Sequence, residues 1–217
     1  EPLFRREDFA QGLRFGLPPA LQFSVTAGGN IALQNFMNGF GSHTVAAITT
    51  AYRVDTIMLL PIINLGSAIS TMVAQSKGAG EPQRARHFWR TGAVMNLVVS
   101  LLLMAVMLLF GGKLVALFGV EAEAAAIGRR FFQRISLFYV FFGLACSMRG
   151  TIEGTGRVVY SSAVSITALL LRIALSYLLA GAFLNMAIAY AEGLHWIFMV
   201  LCFLPFFLRR DRWAQNS

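Results

Sequence analysis

Five polar side chains recur at every fourth position of the first apolar run: Gln22, Thr26, Asn30, Gln34 and Asn38, with Ser24 and Asn35 beside them. Residues four apart lie one above another on a helix, so these amides and hydroxyls form a slowly winding ladder. A carboxamide turned toward lipid would stay unsatisfied, at a cost on the order of several kcal/mol. The ladder must therefore face protein or water. Hydrogen bonds between helices would employ it at about 0.6–2 kcal/mol per contact; a wet cavity would employ it as a wall. Five rungs exceed what packing needs, and we read them as the wall.

Three ionisable residues, Asp55, Arg172 and Glu192, fall inside apolar runs. A charge at mid-helix costs about 2.5–3.5 kcal/mol on insertion scales, so each needs a partner or a water-filled face. Arg172 lies nearest the centre of its run, and Glu192 would pair with it if their helices abut. Asp55 follows Arg53 by two residues, and the pair projects to different sides. A structural ion pair and ion or proton handling both remain open for these three.

No catalytic constellation can be assembled. His43, His87 and His195 lie apart and have no metal-ligand partner at i+3 or i+4. Gly78-Ala79-Gly80 lacks the Gly-Lys-Ser/Thr of a phosphate loop, and Gly154-Thr155-Gly156 has no preceding strand. Cys146 and Cys202 sit in apolar runs and offer neither a disulfide framework nor zinc spacing. The expectation is a protein that is not an enzyme, with no metal and no cofactor.

The elements that carry these residues follow from composition. The 217 residues are 57% hydrophobic and 13% charged, and mean hydropathy is +0.64. A soluble domain would be about one quarter charged, so a water-soluble globule is excluded, as is disorder. A membrane helix needs about 20 mostly apolar residues, and six such spans are predicted at 15–40, 44–76, 88–111, 127–150, 158–183 and 185–208. The fold class is all-α, a polytopic bundle of six transmembrane helices occupying 15–208. Residues 1–14 and 209–217 are expected to be tails, and Glu1 in place of Met suggests a piece of something longer.

Twelve basic residues lie at the termini and even-numbered connections: Arg5, Arg6, Arg14, Lys77, Arg84, Arg86, Arg90, Arg149, Arg157, Arg209, Arg210 and Arg212. Five lie on the other side: Arg53, Lys113, Arg129, Arg130 and Arg134. The positive-inside rule then puts both termini in the cytoplasm, with the chain spanning the plasma (inner) membrane several times. The basic groups sit at helix ends, where they meet anionic lipid headgroups. The net charge of +8 therefore does not imply nucleic acid. Pro18, Pro19, Pro61 and Pro205 mark bends within spans, and Pro18 and Pro61 read either as static kinks or as hinges. Glu121 to Arg134 reads as an amphipathic lead-in, acids first and arginines last, matching the helix dipole.

At the second span and its exit the chain resembles the multidrug and toxic compound extrusion (MATE) family. The resemblance rests on Pro61, Gly66, Ala68, Gln75, Gly78, Ala79, Gly80, Arg84 and Arg86. Gly16-Leu17-Pro18, Ala46-Ala47, Arg149-Gly150, Gly154-Thr155-Gly156, Arg172 and Trp213 echo it. What it implies is the C-terminal six-helix lobe of a twelve-helix transporter, partnered by an N-terminal lobe. The two lobes would rock to export small cationic or amphipathic drugs in exchange for Na+ or H+. One branch of the family carries acids in the first and fourth helices of this lobe. The corresponding stretches here, around Thr26 and from Ile135 to Met148, hold none, so the likeness leans toward the DinF-like branch.

On this reading Gln22, Thr26, Asn30, Gln34 and Asn38 line the cavity. Tyr139 is either an aromatic contact for a cationic substrate or a packed residue with a satisfied hydroxyl. Gln75, Gly78, Ala79 and Gly80 form a tight cytoplasmic turn. Two alternatives stand beside it. One is a lipid-linked oligosaccharide flippase of the same wider fold, which should show a strongly cationic cavity. The other is a truncated membrane module without transport.

Overall fold

The computed structural model describes residues 6–208, apart from the side chains of Glu7 and Asp8. Arg5, Arg209, Arg210, Arg212 and Trp213, and the tail at 209–217, lie outside the described residues. Eight helices follow one another: α1 (Arg6–Asn38), α2 (Ser42–Gly78), α3 (Pro82–Ala116), α4 (Ala122–Ile135), α5 (Tyr139–Gly154), α6 (Val158–Leu178), α7 (Ala180–Phe183) and α8 (Ala187–Leu208). No strand occurs among the described residues. Among the described residues, five stretches have the length and apolarity of a membrane span: α2, α3, the α4–α5 unit over Ala122–Gly154, α6, and Ala180–Leu208. Helix α1 is also long enough, at 33 residues, but its polar ladder dilutes its apolarity.

The helices outrun the expected spans. Residues 6–14 are helical and continuous with α1, since no proline falls between Arg6 and Pro18 to interrupt them. Helix α3 starts at Pro82, not at 88: proline suits a first helical position, and Arg84, Arg86 and Arg90 carry the helix on. The fourth span is interrupted by a 3-10 turn at Ser136–Phe138. There the Ser136 hydroxyl donates to the Phe132 carbonyl, a back-bond that bends helices. Between α7 and α8 the chain turns sharply at Leu184, whose φ is 51°.

The tight turn at Gly78–Gly80 is a Schellman motif. The N–H of Glu81 donates to the Ser76 carbonyl at 2.9 Å and that of Gly80 to Lys77 at 3.0 Å. Gly80 takes φ 71°, which only a residue without Cβ adopts freely. Helix α5 ends in the same way at Gly156. Lys77 Nζ donates to the Thr155 carbonyl at 3.3 Å, tying the two turns together and placing a cation at a helix C-terminus.

Helices α2 and α5 form the centre, and their approach depends on small residues. A Cβ on Gly66 would sit 3.0 Å from the Cys146 carbonyl oxygen, and one on Gly150 would run into the backbone of Gly66. On α3, buried Asn96 donates from Nδ2 to the Gly143 carbonyl at 3.3 Å and to Ser147 Oγ at 2.9 Å. At the far side of α5, Phe138 fills the space that the missing side chain of Gly193 leaves. The α3 surface carrying Val94, Leu97, Val98, Leu101, Leu102 and Leu109 is exposed, as a lipid-facing helix requires. Gly150→Ala is expected to destabilise the bundle by about 1–3 kcal/mol, because the obstacle is backbone. Gly28, with nothing near its Cβ direction, should accept Ala without loss. Thermal unfolding of the purified protein in lipid checks both.

Candidate functional site

The ladder on α1 is half packed and half open. Each four-residue step advances about 40° around a helix of 3.6 residues per turn, so from Gln22 to Asn38 the rungs wind through about 160°. The packed face of α1 carries Gln22, Gly29, Leu33, Phe36 and Met37. It lies against α6: Gly29 meets Leu169, Phe36 meets the Tyr177 ring at 5.1 Å, and the Tyr177 hydroxyl donates to the Ala32 carbonyl at 3.2 Å. Gln22 is therefore buried, and its Oε1 accepts from Arg149 Nη2 at 3.4 Å. Thr26 is half-buried and donates to the Gln22 carbonyl at 2.8 Å. Asn30 and Asn38 are exposed and Gln34 is half-buried. Gln34 donates to Asn38 Oδ1 at 3.4 Å within the ladder. Only Gln22 among the five reaches another helix, so interhelical bonding inside this bundle does not account for the upper rungs.

The second centre is a cluster inside the bundle. Arg172 on α6 and Glu192 on α8 form an ion pair, each side chain 10% exposed. Arg172 Nη2 also donates to the Tyr52 hydroxyl at 3.0 Å, with the guanidinium carbon 5.6 Å above the Tyr52 ring. The Tyr52 hydroxyl in turn lies 3.5 Å from Glu192 Oε2, to which it donates. His195 Nδ1 is 3.8 Å from Glu192 Oε1. One turn along α2 from Tyr52, buried Asp55 accepts a hydrogen bond from the Tyr139 hydroxyl. Trp196 closes the cluster, its ring 6.1 Å from that of Tyr139.

These positions sort the sequence reading. Arg172 and Glu192 pair as expected from abutting helices. Arg53 is exposed and Asp55 buried, on opposite sides of α2. Tyr139 corrects one reading: it is fully buried, so it lines no cavity, and its hydroxyl is satisfied in the interior. Pro18 and Pro19 lie within α1 and Pro61 within α2, neither breaking its helix. Gln75 and Gly78 end α2, and Ala79 and Gly80 make the turn. Tyr52 went unnoticed, and His195 was weighed only as a metal ligand. The signal was present, since Tyr52/Asp55 and Glu192/His195 are both i, i+3 pairs that share a helix face.

The described residues thus form a multi-pass helical bundle with an interior ion-pair cluster and exposed amides on part of α1. The MatE family model matches residues 18–178, and the chain belongs to that family, whose members are transporters. It is 29% identical over 150 residues to a probable multidrug resistance protein, YpnP of Bacillus subtilis, covering 69% of this chain and 34% of that one. It is 24% identical over 144 residues to the probable multidrug resistance protein NorM of Thermotoga maritima, covering 66% and 31%. The solved outward-facing conformation of a multidrug resistance MATE transporter superposes with a TM-score of 0.86 at 19% identity, over 94% of this chain and 46% of that one. The chain thus spans about a third of these two relatives' length and just under half of that solved transporter.

Breaking the ion pair should cost more than deleting it. Arg172→Met leaves Glu192 buried and unmatched, a loss of about 3–5 kcal/mol. Adding Glu192→Leu is expected to restore most of that stability, because two apolar side chains leave no charge stranded. A double-mutant cycle from thermal unfolding in lipid measures the difference.

Proposed function

We propose that this chain is the C-terminal lobe of a cation-coupled multidrug efflux antiporter of the DinF-like branch. It would work by alternating access against an N-terminal lobe in the plasma membrane, with both termini cytoplasmic. The observation that carries the proposal is the ladder. Asn30 and Asn38 are exposed, and half-buried Gln34 bonds to Asn38 within the ladder, in a chain that matches just under half of a solved transporter. In lipid such amides would be unsatisfied, so a wet cavity between two lobes is the environment they require.

The lower rungs anchor the wall. Gln22 is held by Arg149, and Arg149 Nε is bonded to Glu153 at 2.7 Å, so the ladder starts from a fixed point and opens upward. Neutral amides suit cationic or amphipathic drugs, because they offer carbonyl acceptors without trapping the cargo in an ion pair. Tyr139 contributes no contact to that wall. Pro18 and Pro61 would act as hinges that let α1 and α2 reshape as the lobes alternate. The Gly78–Gly80 turn, with Arg84, Arg86 and Arg90 beyond it, would meet the cytoplasmic headgroups. A flippase for a phosphate-bearing lipid would ask for free cations in the cavity, whereas Arg172 is engaged by Glu192.

Asn30→Leu, Gln34→Leu and Asn38→Leu together are expected to reduce export of a fluorescent cationic dye at least about tenfold, equivalent to about 1.4 kcal/mol, with unchanged protein in the membrane. Unaltered export would remove the cavity role. A single cysteine at position 30 or 38, after Cys146 and Cys202 are replaced by Ala, should react with a membrane-impermeant thiol reagent. Protection of that cysteine would place the ladder against lipid or protein instead.

A further inference from the structure

The interior cluster contains two carboxylates and one permanent cation. Glu192 takes the cation, and the Tyr52 hydroxyl takes a second N–H of the same guanidinium. Asp55 is left with a neutral partner: among the described residues its one hydrogen bond comes from the Tyr139 hydroxyl, at Oδ1. The charges that act on it are those of Glu192 and Arg172. The former repels an ionised Asp55, and the latter is already compensated. The remaining titratable neighbours are Tyr52 on its own helix, Tyr139 on α5 and His195 on α8. Helix α4 presents the Phe131 ring to Tyr52 at 5.4 Å, and α3 gives the cluster no ion pair or hydrogen bond among the described residues. A proton on His195 would add a second cation beside Arg172, which makes the imidazole a poor counter-ion for Asp55.

Charge counting then separates the two acids. With Asp55 ionised and His195 neutral, the cluster bears one uncompensated negative charge within an apolar core that includes Val54, Ile135, Tyr139 and Trp196. With a proton on Asp55 the cluster is neutral. Burying an unpaired carboxylate is the costlier state, yet the Tyr139 hydroxyl is already in place to hold it when it forms. We propose that Asp55 is a reversible proton-binding site of this lobe, with Tyr139 as the positioning residue that stabilises its ionised state. A proton from water adds to Oδ2 while Tyr139 goes on donating to Oδ1; release returns that proton to water and leaves a carboxylate bonded to the same hydroxyl. Arg172 and Glu192 stay paired throughout. A sodium ion is a poorer occupant. It would need several oxygen ligands, whereas the partner that the structure gives Asp55 is the single Tyr139 hydroxyl. The site supplies an exchangeable proton for antiport, and in that use alone it rests on the transport reading above.

The test is infrared difference spectroscopy of the protein in liposomes between alkaline and acidic buffers, which reads the carbonyl stretch of protonated carboxylic acids without requiring transport. A component gained on acidification is expected in the wild type and in His195→Gln. It should be lost in the isosteric Asp55→Asn and kept in the charge-balanced Arg172→Gln/Glu192→Gln pair. A spectrum unchanged by Asp55→Asn overturns the proposal, as does loss of the component in the double variant instead. Erasure of the component by NaCl at constant acidic pH would make the site a sodium site and overturn it too. In a second arm, a pH gradient should drive cationic-dye uptake into wild-type liposomes. Asp55→Asn should drop uptake to the no-gradient level while dye-for-dye exchange continues. Gradient-driven uptake that survives Asp55→Asn counts against the site. Absence of all dye movement in the wild type defeats the transport reading and leaves the infrared assignment standing.

Discussion

A guanidinium held among apolar helices must be matched on the spot, because neither water nor a long detour of the side chain can serve it there. Arg172 is that constraint in this bundle. Its match, Glu192, sits on the neighbouring α8, so α6 and α8 must lie side by side at one register. The Tyr52 hydroxyl, lodged between the two charges, brings α2 into the same arrangement. The contribution is one of specificity more than of stability: a buried pair gains little over well-packed apolar groups, but any slip of a helix would strand a charge.

Around that fixed point the packing is graded by residue size. Where α2 and α5 cross, Gly66 and Gly150 let backbone approach backbone, the arrangement that van der Waals attraction favours when no hydrophobic force separates helix from lipid. On the outside, α3 shows leucines and valines to the surroundings. Between these extremes Asn96 spends its amide protons on Gly143 and Ser147, so a polar group that would be costly in lipid becomes a clamp between α3 and α5. Asn30 on α1 carries the same carboxamide but is exposed, so the two amides differ in what surrounds them.

Much of the architecture could be read from composition and spacing: six apolar stretches, a break at Gly39–Gly41, a glycine turn after α2, and a boundary at residue 184. Several helices, α1 and α3 among them, run beyond the apolar stretches, because hydropathy marks the width of the hydrocarbon and not the length of a helix. Basic residues such as Arg84 and Arg90 are unfavourable in lipid and unremarkable in a helix that extends beyond it. The interruption at Ser136–Phe138 was illegible for a different reason. It depends on a serine bending back to its own turn, and serines do so at many positions without breaking a helix.

The sequence by itself determined that the chain crosses a membrane, that α1 carries amides at a four-residue interval, and that three charges need company within the bundle. Those properties are local, set by residue type and by the 3.6-residue period. What meets Arg172 was decided by tertiary structure, since Tyr52, 120 residues away along the chain, and Glu192 reach it only through the packing of α2, α6 and α8. The same packing decided between the two readings of Tyr139, setting it in the interior beside Asp55, and left Asn30 and Asn38 exposed on α1. A side chain's direction depends on the angle at which its helix is rolled against its neighbours, and that angle is fixed by contacts from the whole bundle.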